Sequence, residues 1–284
     1  MYLHRPFLLC CAVTIFIAAD LYPQTQARAA FLDTPAQVIV PANYRSDRDY
    51  PLYVLLPATG FPAASFRHVL RHDLPASDAI VLLPAGGPTR AQYLPDFVAF
   101  VGWFEQRLLQ DIAAVRARYS IDSRSIVLAG HSLGGDLGWA LMLRNPELFT
   151  GAVMAGTRAS YRPPEGALDT LAQRNTRMVF VVGRREAQVR ADGLRAAAAA
   201  AESAGVRTRV RVVAGGHTYG PNDQFAEHIR WVSGHTELIE RRPEPIVTEQ
   251  AIARPERRDR RRITLRSRLL GFHNRLAAAL DEDE

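Results

Sequence analysis

The sequence predicts an α/β fold in which a mostly parallel sheet is flanked by helices. Apolar, β-branched runs alternate along the chain with longer helical patterns, and this alternation is typical of a parallel sheet with helices on both faces. At 284 residues, 48% of them hydrophobic, the chain is long enough for one such domain, and two full domains would be cramped.

The apolar runs and the helical patterns give a provisional order of elements. The predicted strands are Gln37–Val40, Leu52–Leu56, Ala79–Leu83, Ser125–Ala129, Gly151–Met154, Met178–Val182 and Arg209–Val213. The predicted helices are Phe97–Tyr119, Leu133–Arg144, Gly193–Ala204 and Asp223–Val232. Open α/β sheets bind ligands at the carboxyl ends of their strands, so polar residues that directly follow a strand are the candidates for a site.

The first residues have the pattern of an export signal. An apolar run from Phe7 to Ala19 follows His4 and Arg5, and a polar stretch ends at Ala27-Arg28-Ala29. We therefore expect cleavage before Ala30, which makes residues 1–29 a signal peptide and the protein secreted or periplasmic. An uncleaved membrane anchor is the alternative, although thirteen apolar residues fall short of the roughly 20 that cross a bilayer.

Both cysteines, Cys10 and Cys11, lie inside this leader, so the mature protein is expected to contain none. Cysteine nucleophiles, cysteine-ligated zinc and disulfides are thereby excluded from the predicted domain, which spans residues 30–240.

Residues 241–284 differ in composition from the domain. Ten arginines and four acidic residues lie between Arg241 and Arg268, prolines interrupt the first part, and Ile263–Leu280 has the spacing of an amphipathic helix. We expect an arginine-rich linker and a C-terminal helix in weak contact with a membrane surface or a protein; a self-docked or poorly ordered tail is the alternative. The remaining body is near neutral, which argues against nucleic acid as a partner.

The strongest chemical signal is Gly130-His131-Ser132-Leu133-Gly134, which follows a predicted strand and precedes a predicted helix. This is the context in which a G-x-S-x-G sequence forms a nucleophile elbow. The sharp turn forces the serine into strained backbone angles, and the flanking glycines remove side chains that would collide there. Ser132 is therefore the predicted nucleophile.

A serine hydroxyl needs an adjacent base, and His217 is the predicted one. It lies in Gly215-Gly216-His217, directly after the last predicted strand, where the chain order serine, acid, histidine requires it. Six other histidines fit this order less well because of where they lie along the chain: His68, His72, His131, His228, His235 and His273.

The acid that orients the histidine is expected after the strand Met178–Val182. Glu186 lies three residues after Gly183, and Asp192 follows six residues later. We favour Glu186 and keep Asp192 as the alternative, because Asp192 is placed to cap the next helix.

Two backbone groups are candidates for the oxyanion hole. The first is the N–H of Leu133, next to the nucleophile, and the second is Thr59 in the loop Pro57-Ala58-Thr59-Gly60, with its N–H and its hydroxyl. A plain strand-to-helix turn is the alternative for this loop.

From about Val40 to Val232 the chain resembles the secreted esterase branch of the α/β-hydrolase superfamily, the group of polyhydroxyalkanoate depolymerases, feruloyl esterases and esterase-D-like proteins. Besides the elbow, three segments carry the resemblance: Val40-Pro41-Ala42-Asn43-Tyr44 with Tyr50-Pro51-Leu52, Tyr119-Ser120-Ile121-Asp122-Ser123-Arg124-Ser125-Ile126, and Asn145-Pro146-Glu147-Leu148-Phe149. The chain departs from this group in having Pro57-Ala58 where His-Gly usually opens the oxyanion loop, and Glu186 where an aspartate is usual.

Such a site predicts a serine carboxylic ester hydrolase that forms an acyl-enzyme on Ser132 and needs no cofactor or metal. The insertion between Thr157 and Thr176 is too short for a large lid, so the crevice is expected to admit small-molecule or polymeric esters. Four aromatic residues are candidates to line it: Tyr93, Phe97, Trp103 and Tyr219. A peptidase or amidase with the same triad, and a non-catalytic binding protein of this fold, are the alternatives.

Overall fold

The computed structural model describes residues 36–66, Val69 and residues 79–234. The strands in these ranges are β1 Gln37–Ile39, β2 Tyr50–Leu55, β3 Ile80–Leu83, β4 Ile121–His131, β5 Gly151–Ala155, β6 Arg177–Gly183 and β7 Arg207–Val213. The α-helices are α1 Arg90–Tyr93, α2 Phe97–Arg118, α3 Leu133–Arg144, α4 Ala167–Gln173, α5 Gln188–Ser203 and α6 Asn222–Ser233, and a 3₁₀-helix spans Ala63–Phe66.

The described strands form one sheet in the order β1-β3-β2-β4-β5-β6-β7. β1 pairs with β3 in the antiparallel direction, and every other pair is parallel. The predicted fold class, a mostly parallel sheet flanked by helices, is therefore confirmed. All parallel strands end at the same edge, which is where the candidate residues were expected to meet.

Each face of the sheet carries its own hydrophobic core. Alternate residues of a strand point to opposite faces, so Leu52 and Val54 join one cluster while Tyr53 joins the other. The first cluster is covered by α2, α3, α4 and α5, and the second by the 3₁₀-helix and α6. Side chains such as Phe104, of α2, and Phe225, of α6, are almost fully buried between helix and sheet.

The largest difference from the predicted boundaries is the start of α5. The helix begins at Gln188, whereas the sequence predicted Gly193. Gly193 lies inside the helix at a point where a Cβ atom would overlap the carbonyl oxygen of Arg158. The glycine therefore marks a close approach between helix and loop, and it does not mark a helix boundary.

Two short helices were not predicted, and one of them lies in the segment between β5 and β6. That segment, residues 156–176, contains the seven-residue helix α4 and connecting turns. It forms no large lid over the edge of the sheet, as the sequence predicted.

The predicted leader, residues 1–29, and the predicted tail, residues 241–284, lie outside the described residues, as do His68, His72, His235 and His273. Among the helices that the structure describes, none combines the length and the apolar character that crossing a membrane requires.

The backbones of β6 and of the loop after β7 touch at Gly183. A Cβ atom on Gly183 would overlap the carbonyl oxygen of Gly216, whereas a Cβ atom on Gly102, inside α2, would meet no atom within 4 Å. We therefore expect Gly183→Ala to lower the free energy of unfolding in urea by about 1–3 kcal/mol. The control Gly102→Ala is expected to raise it by up to about 1 kcal/mol, because alanine has the higher helix propensity. Equal effects of the two substitutions would contradict this packing.

Candidate active site

Ser132 lies in a strained turn between β4 and α3. Its backbone has φ +58° and ψ −122°, a combination that non-glycine residues rarely adopt. A Cβ atom on Gly130 would lie 2.5 Å from the carbonyl carbon and oxygen of Gly134, so the turn closes only because residue 130 is glycine. The Ser132 N–H donates to the carbonyl of Ala155 at 2.9 Å, which fixes the turn to the end of β5. The half-buried serine is thereby held at the carboxyl edge of the sheet.

The first turn of α3 packs directly against the end of β2. A Cβ atom on Gly134 would lie 2.9 Å from the carbonyl oxygen of Leu56 and 3.0 Å from that of Pro57. Leu133 is the first residue of α3, so its N–H has no acceptor within the helix. The elbow therefore presents a free helix N-terminus beside the loop that contains Thr59.

The loop after β2 is a tight turn closed by backbone hydrogen bonds. Ala58 and Phe61 exchange two of them, at 3.1 and 3.0 Å, and the N–H of Gly60 donates to the carbonyl of Pro88 at 2.8 Å. The Thr59 hydroxyl and the Tyr93 hydroxyl share a hydrogen bond of 2.9 Å. The N–H of Thr59 has no acceptor among the described residues, so the turn from Ala58 to Phe61 leaves this donor available.

His217 and Glu186 are hydrogen-bonded to each other in the loops that follow β7 and β6. The Nδ1 atom of His217 lies 2.9 Å from Oε2 of Glu186, and the two side chains are 6% and 2% exposed. The loops are joined by backbone hydrogen bonds from Arg184 to Val213 and from Arg185 to Gly215, each 2.8 Å long. The pair is therefore both buried and supported from two strands.

The backbone of Gly156, directly after β5, lies against the His217 ring. A Cβ atom on Gly156 would lie 2.8 Å from Cε1 and 2.9 Å from Nδ1 of His217, so no side chain fits there. The His131 ring packs on the His217 ring, with the two ring centroids 4.5 Å apart. Since Ser132 follows His131 in the chain, these contacts bring His217 to the elbow.

His131 itself is almost fully buried, and its Nε2 atom has no hydrogen-bond partner among the described residues. Burial holds the pKa of His131 well below its ordinary value, with smaller contributions from His217 and Arg190. His131 is therefore neutral near pH 7, and it lies beside His217 without adding a second charge.

Asp192, the alternative acid, lies away from His217 on the exposed face of α5. Its carboxylate accepts a hydrogen bond of 2.7 Å from Gln188 and lies 3.6 Å from a guanidinium nitrogen of Arg195. It is the fifth residue of α5, so the prediction that it caps this helix is wrong, because the helix begins at Gln188. Of the two predicted carboxylates, the structure brings Glu186 to the histidine.

A further carboxylate, which the sequence analysis did not single out, lies beneath the elbow. Asp136 of α3 is 8% exposed, and its Oδ1 atom accepts from the Thr157 hydroxyl at 2.7 Å and from the Arg158 N–H at 2.7 Å. Burial is the largest influence on this group and raises the pKa of Asp136, although the hydrogen bond from Thr157 and the charge of Arg190 act in the opposite direction. Asp136 ties the loop after β5 to the elbow helix.

Arg190 was also not predicted. It lies one turn into α5 with its side chain 5% exposed, and its Nε atom is 3.9 Å from Oε1 of Glu186. One of its guanidinium nitrogens donates to the carbonyl of Gly156 at 3.2 Å. No sequence pattern distinguished it among the many arginines of the chain.

The four aromatic candidates for the crevice belong largely to the cores. Phe97 and Trp103 pack against the first cluster, and Tyr219 packs against Phe66 and Phe225 in the second. Burial raises the pKa of Tyr219 to about 12, which keeps its hydroxyl protonated. Tyr93 reaches the candidate site through its hydrogen bond to Thr59, and Tyr219 lies against His131 with ring centroids 5.7 Å apart.

Within the residues that the structure describes, no group of three or more histidine, cysteine, aspartate or glutamate side chains is arranged to hold a metal ion.

Comparisons with known proteins give a family and a fold. Residues 32–231 match the model of the Esterase family, described as "Putative esterase". No curated protein matches the sequence. Among solved structures, an S-formylglutathione hydrolase from Staphylococcus aureus is similar with a TM-score of 0.53 and 17% identity, over 70% of this chain and 89% of its own. A ferulic acid esterase has a TM-score of 0.53 and 16% identity, over 72% of this chain and 92% of its own.

A thermostable esterase is similar with a TM-score of 0.47 and 18% identity over 72% of this chain, which spans 57% of that protein's chain. At such low identities the solved structures bear on the fold alone, and the two with TM-scores of 0.53 share with this chain the fold of the α/β-hydrolases.

The buried carboxylate of Asp136 allows a test of the packing beneath the elbow. Asparagine keeps the accepting oxygen and removes the charge, so we expect Asp136→Asn to be at least as stable as the wild type at pH 7. Asp136→Ala leaves the Arg158 N–H without this acceptor and should lower the free energy of unfolding by about 1–3 kcal/mol.

The same carboxylate predicts a pH dependence. Because the folded-state pKa of Asp136 lies above the unfolded value of about 3.9, the folded protein binds the proton more tightly, and Asp136 makes stability fall as pH rises from about 4 through the raised pKa. Urea unfolding between pH 4 and 8 should show this slope reduced in Asp136→Asn. An unchanged slope would contradict the raised pKa.

Proposed function

The chain belongs to the Esterase family, and from this membership we propose that it is an exported serine hydrolase that cleaves carboxylic esters through an acyl-enzyme on Ser132. The family supports ester hydrolysis. The observation that carries the assignment of residues is the buried hydrogen bond between His217 and Glu186, next to the strained turn of Ser132.

In the proposed reaction His217 is the general base and Glu186 orients it. The Nδ1–H of His217 donates to Glu186, which leaves Nε2 as the ring atom that takes the proton of the Ser132 hydroxyl. The serine oxygen then attacks the ester carbonyl, and His217 returns the proton to the departing alcohol. Water, activated by the same ring, releases the acid and restores the serine.

The proposed oxyanion hole consists of the N–H groups of Leu133 and Thr59. The first is an unpaired donor at the N-terminus of α3, where the helix dipole also favours negative charge. The second is the donor that the tight turn after β2 leaves without an acceptor among the described residues. The contact of Gly134 with Leu56 and Pro57 supports the placement of both donors on one side of the elbow.

Small-molecule or polymeric esters are the proposed substrates, because the segment between β5 and β6 forms no large lid. The proposal includes no cofactor and no nucleic-acid partner. For residues 241–284 we propose at most a weak contact with a membrane surface or a protein. The acyl chain that the crevice prefers is measured by a series of p-nitrophenyl esters from short to long.

Export is supported by the sequence pattern of residues 1–29. We expect the protein recovered from the periplasm or the medium to begin at Ala30, as read by mass spectrometry of its N-terminal peptide. If the chain is instead recovered in a membrane fraction and still contains residues 1–29, these residues are an uncleaved anchor and not a signal peptide.

Three substitutions test the proposed residues. Ser132→Ala should abolish hydrolysis of p-nitrophenyl esters, and Glu186→Gln should lower kcat on the order of 10⁴-fold, because the amide no longer holds the ring in the required tautomer. Asp192→Asn should retain wild-type kcat, since Asp192 lies on the exposed face of α5. A larger loss of kcat in Asp192→Asn than in Glu186→Gln would make Asp192 the acid in place of Glu186.

Labelling by a fluorophosphonate is the control for these assays, because only an activated serine reacts. We expect the wild type to be labelled and Ser132→Ala to stay unlabelled. A labelled protein that hydrolyses no ester would point to a peptidase or amidase, and an unlabelled wild type would mean a non-catalytic binding protein of the same fold.

A further inference from the structure

Arg190 is a buried cation whose surroundings differ from those of Arg195, the other arginine of α5. Its side chain is 5% exposed, whereas Arg195, one turn further along the same helix, is 55% exposed. Removing a guanidinium from water is unfavourable unless it is paired and hydrogen-bonded. The partners of Arg190 therefore indicate what holds it in the interior.

One partner is the carboxylate of Glu186. The Nε atom of Arg190 lies 3.9 Å from Oε1, the oxygen that also accepts the N–H of Ala187 at 3.1 Å. The other oxygen, Oε2, lies 2.9 Å from Nδ1 of His217. Each oxygen of the carboxylate thus has its own partners, and the plane of the group is fixed relative to the imidazole.

The other partner is the backbone beneath the imidazole. A guanidinium nitrogen of Arg190 donates to the carbonyl of Gly156 at 3.2 Å, and the Cα of Gly156 lies against the His217 ring. Arg190 therefore contacts both groups that determine the orientation of His217. One is the carboxylate that bonds its Nδ1 atom, and the other is the peptide that supports its face.

A glutamate has one more rotatable bond than an aspartate, so its carboxylate has more positions to occupy unless something restrains it. In this chain the restraint comes from α5, the helix that follows Glu186. Its residue Arg190 lies four residues after Glu186, with its Nε atom 3.9 Å from the carboxylate.

We propose that Arg190 is a positioning residue that holds Glu186 and Gly156 in place, so that a glutamate can orient His217. The inference rests on the proposed function, because it concerns the same Ser132, His217 and Glu186. It adds a fourth member to the arrangement, one that touches neither the substrate nor the serine.

The charge of Arg190 gives the proposal a kinetic signature. The titratable or charged groups around His217 are Glu186 and Arg190 from the α5 side, and His131, from the end of β4, with Tyr219 behind it. His131 is neutral and Tyr219 is protonated at working pH, so Arg190 is the cation that offsets the attraction of Glu186 for a proton on His217. Removal of Arg190 should therefore move the acidic limb of the kcat/KM profile to higher pH.

The experiment compares Arg190→Gln, Arg190→Lys and the matched control Arg195→Gln in p-nitrophenyl ester hydrolysis from pH 5 to 9. We expect Arg190→Gln to lower kcat about tenfold to hundredfold with little change in KM, because the base is misplaced while the crevice is intact. The acidic limb of its kcat/KM profile should move to higher pH. Arg190→Lys should keep the limb in place, since it keeps the charge, and Arg195→Gln should behave as the wild type.

Two outcomes overturn the proposal. In the first, the kcat and the acidic limb of Arg190→Gln are the same as those of Arg195→Gln. In the second, the acidic limb moves as far in Arg190→Lys as it does in Arg190→Gln. If Arg190→Gln does not fold, Arg190→Lys carries the test. Lysine has one nitrogen in place of the separate nitrogens that face Glu186 and Gly156, so kcat should fall while the limb stays in place, and a wild-type kcat in this variant would overturn the proposal.

A second measurement does not depend on catalysis and separates this proposal from the proposed function. A double-mutant cycle of Arg190→Gln and Glu186→Gln in urea unfolding should give a coupling of about tenfold in the unfolding equilibrium constant, because the two side chains are in contact. No coupling overturns the positioning role even in an active enzyme. A wild type that hydrolyses no ester overturns the proposed function alone.

Discussion

The site depends on backbone contacts that exclude side chains at the carboxyl ends of three adjacent strands. Gly130 of β4 touches the first turn of α3, Gly156 after β5 lies against the His217 ring, and Gly183 of β6 touches the loop that carries His217. At each point a single Cβ atom would overlap backbone or ring atoms. Ser132 follows β4, Glu186 follows β6 and His217 follows β7, and the three glycine contacts together bring the ends of these strands close to one another.

A second condition is the balance of charge in the interior behind the serine. Glu186 and Arg190 are buried together, and His131, whose ring packs on that of His217, is kept neutral by burial. Asp136 is buried as well, among hydrogen-bond donors of the loop after β5. Among the described residues, the pair formed by Glu186 and Arg190 thus meets the imidazole through the carboxylate of Glu186. Low local dielectric makes each of these interactions stronger than it would be at the surface.

The sequence predicted most of the elements because strands and long helices carry periodic signals that need no tertiary information. All seven strands and the four longer helices were found, while α1 and α4 were missed because four and seven residues are too few to show a period. The boundary of α5 was misplaced for a different reason. Gly193 is at its position because of the Arg158 carbonyl, which is distant along the chain and invisible in a local pattern.

The candidate residues likewise divide into those that a local sequence pattern reveals and those that depend on contacts across the fold. Ser132, Glu186 and His217 were identifiable because each follows a strand at a characteristic offset, and the structure brings His217 and Glu186 into contact. Arg190, Asp136 and Gly156 have no such offset, since their importance lies in contacts across the fold. Arginine is also the basic residue used throughout this chain, so one buried arginine cannot be distinguished from exposed ones by composition.

The positive φ of Ser132 also has an evolutionary consequence. A backbone in this region is strained for any residue with a Cβ atom, and glycine would relieve that strain. Folding stability alone therefore favours the loss of the hydroxyl at this position. Under the proposed function, Ser132→Gly would be a thermodynamically downhill substitution in a lineage released from selection for catalysis, and selection for the hydroxyl would be what keeps the serine.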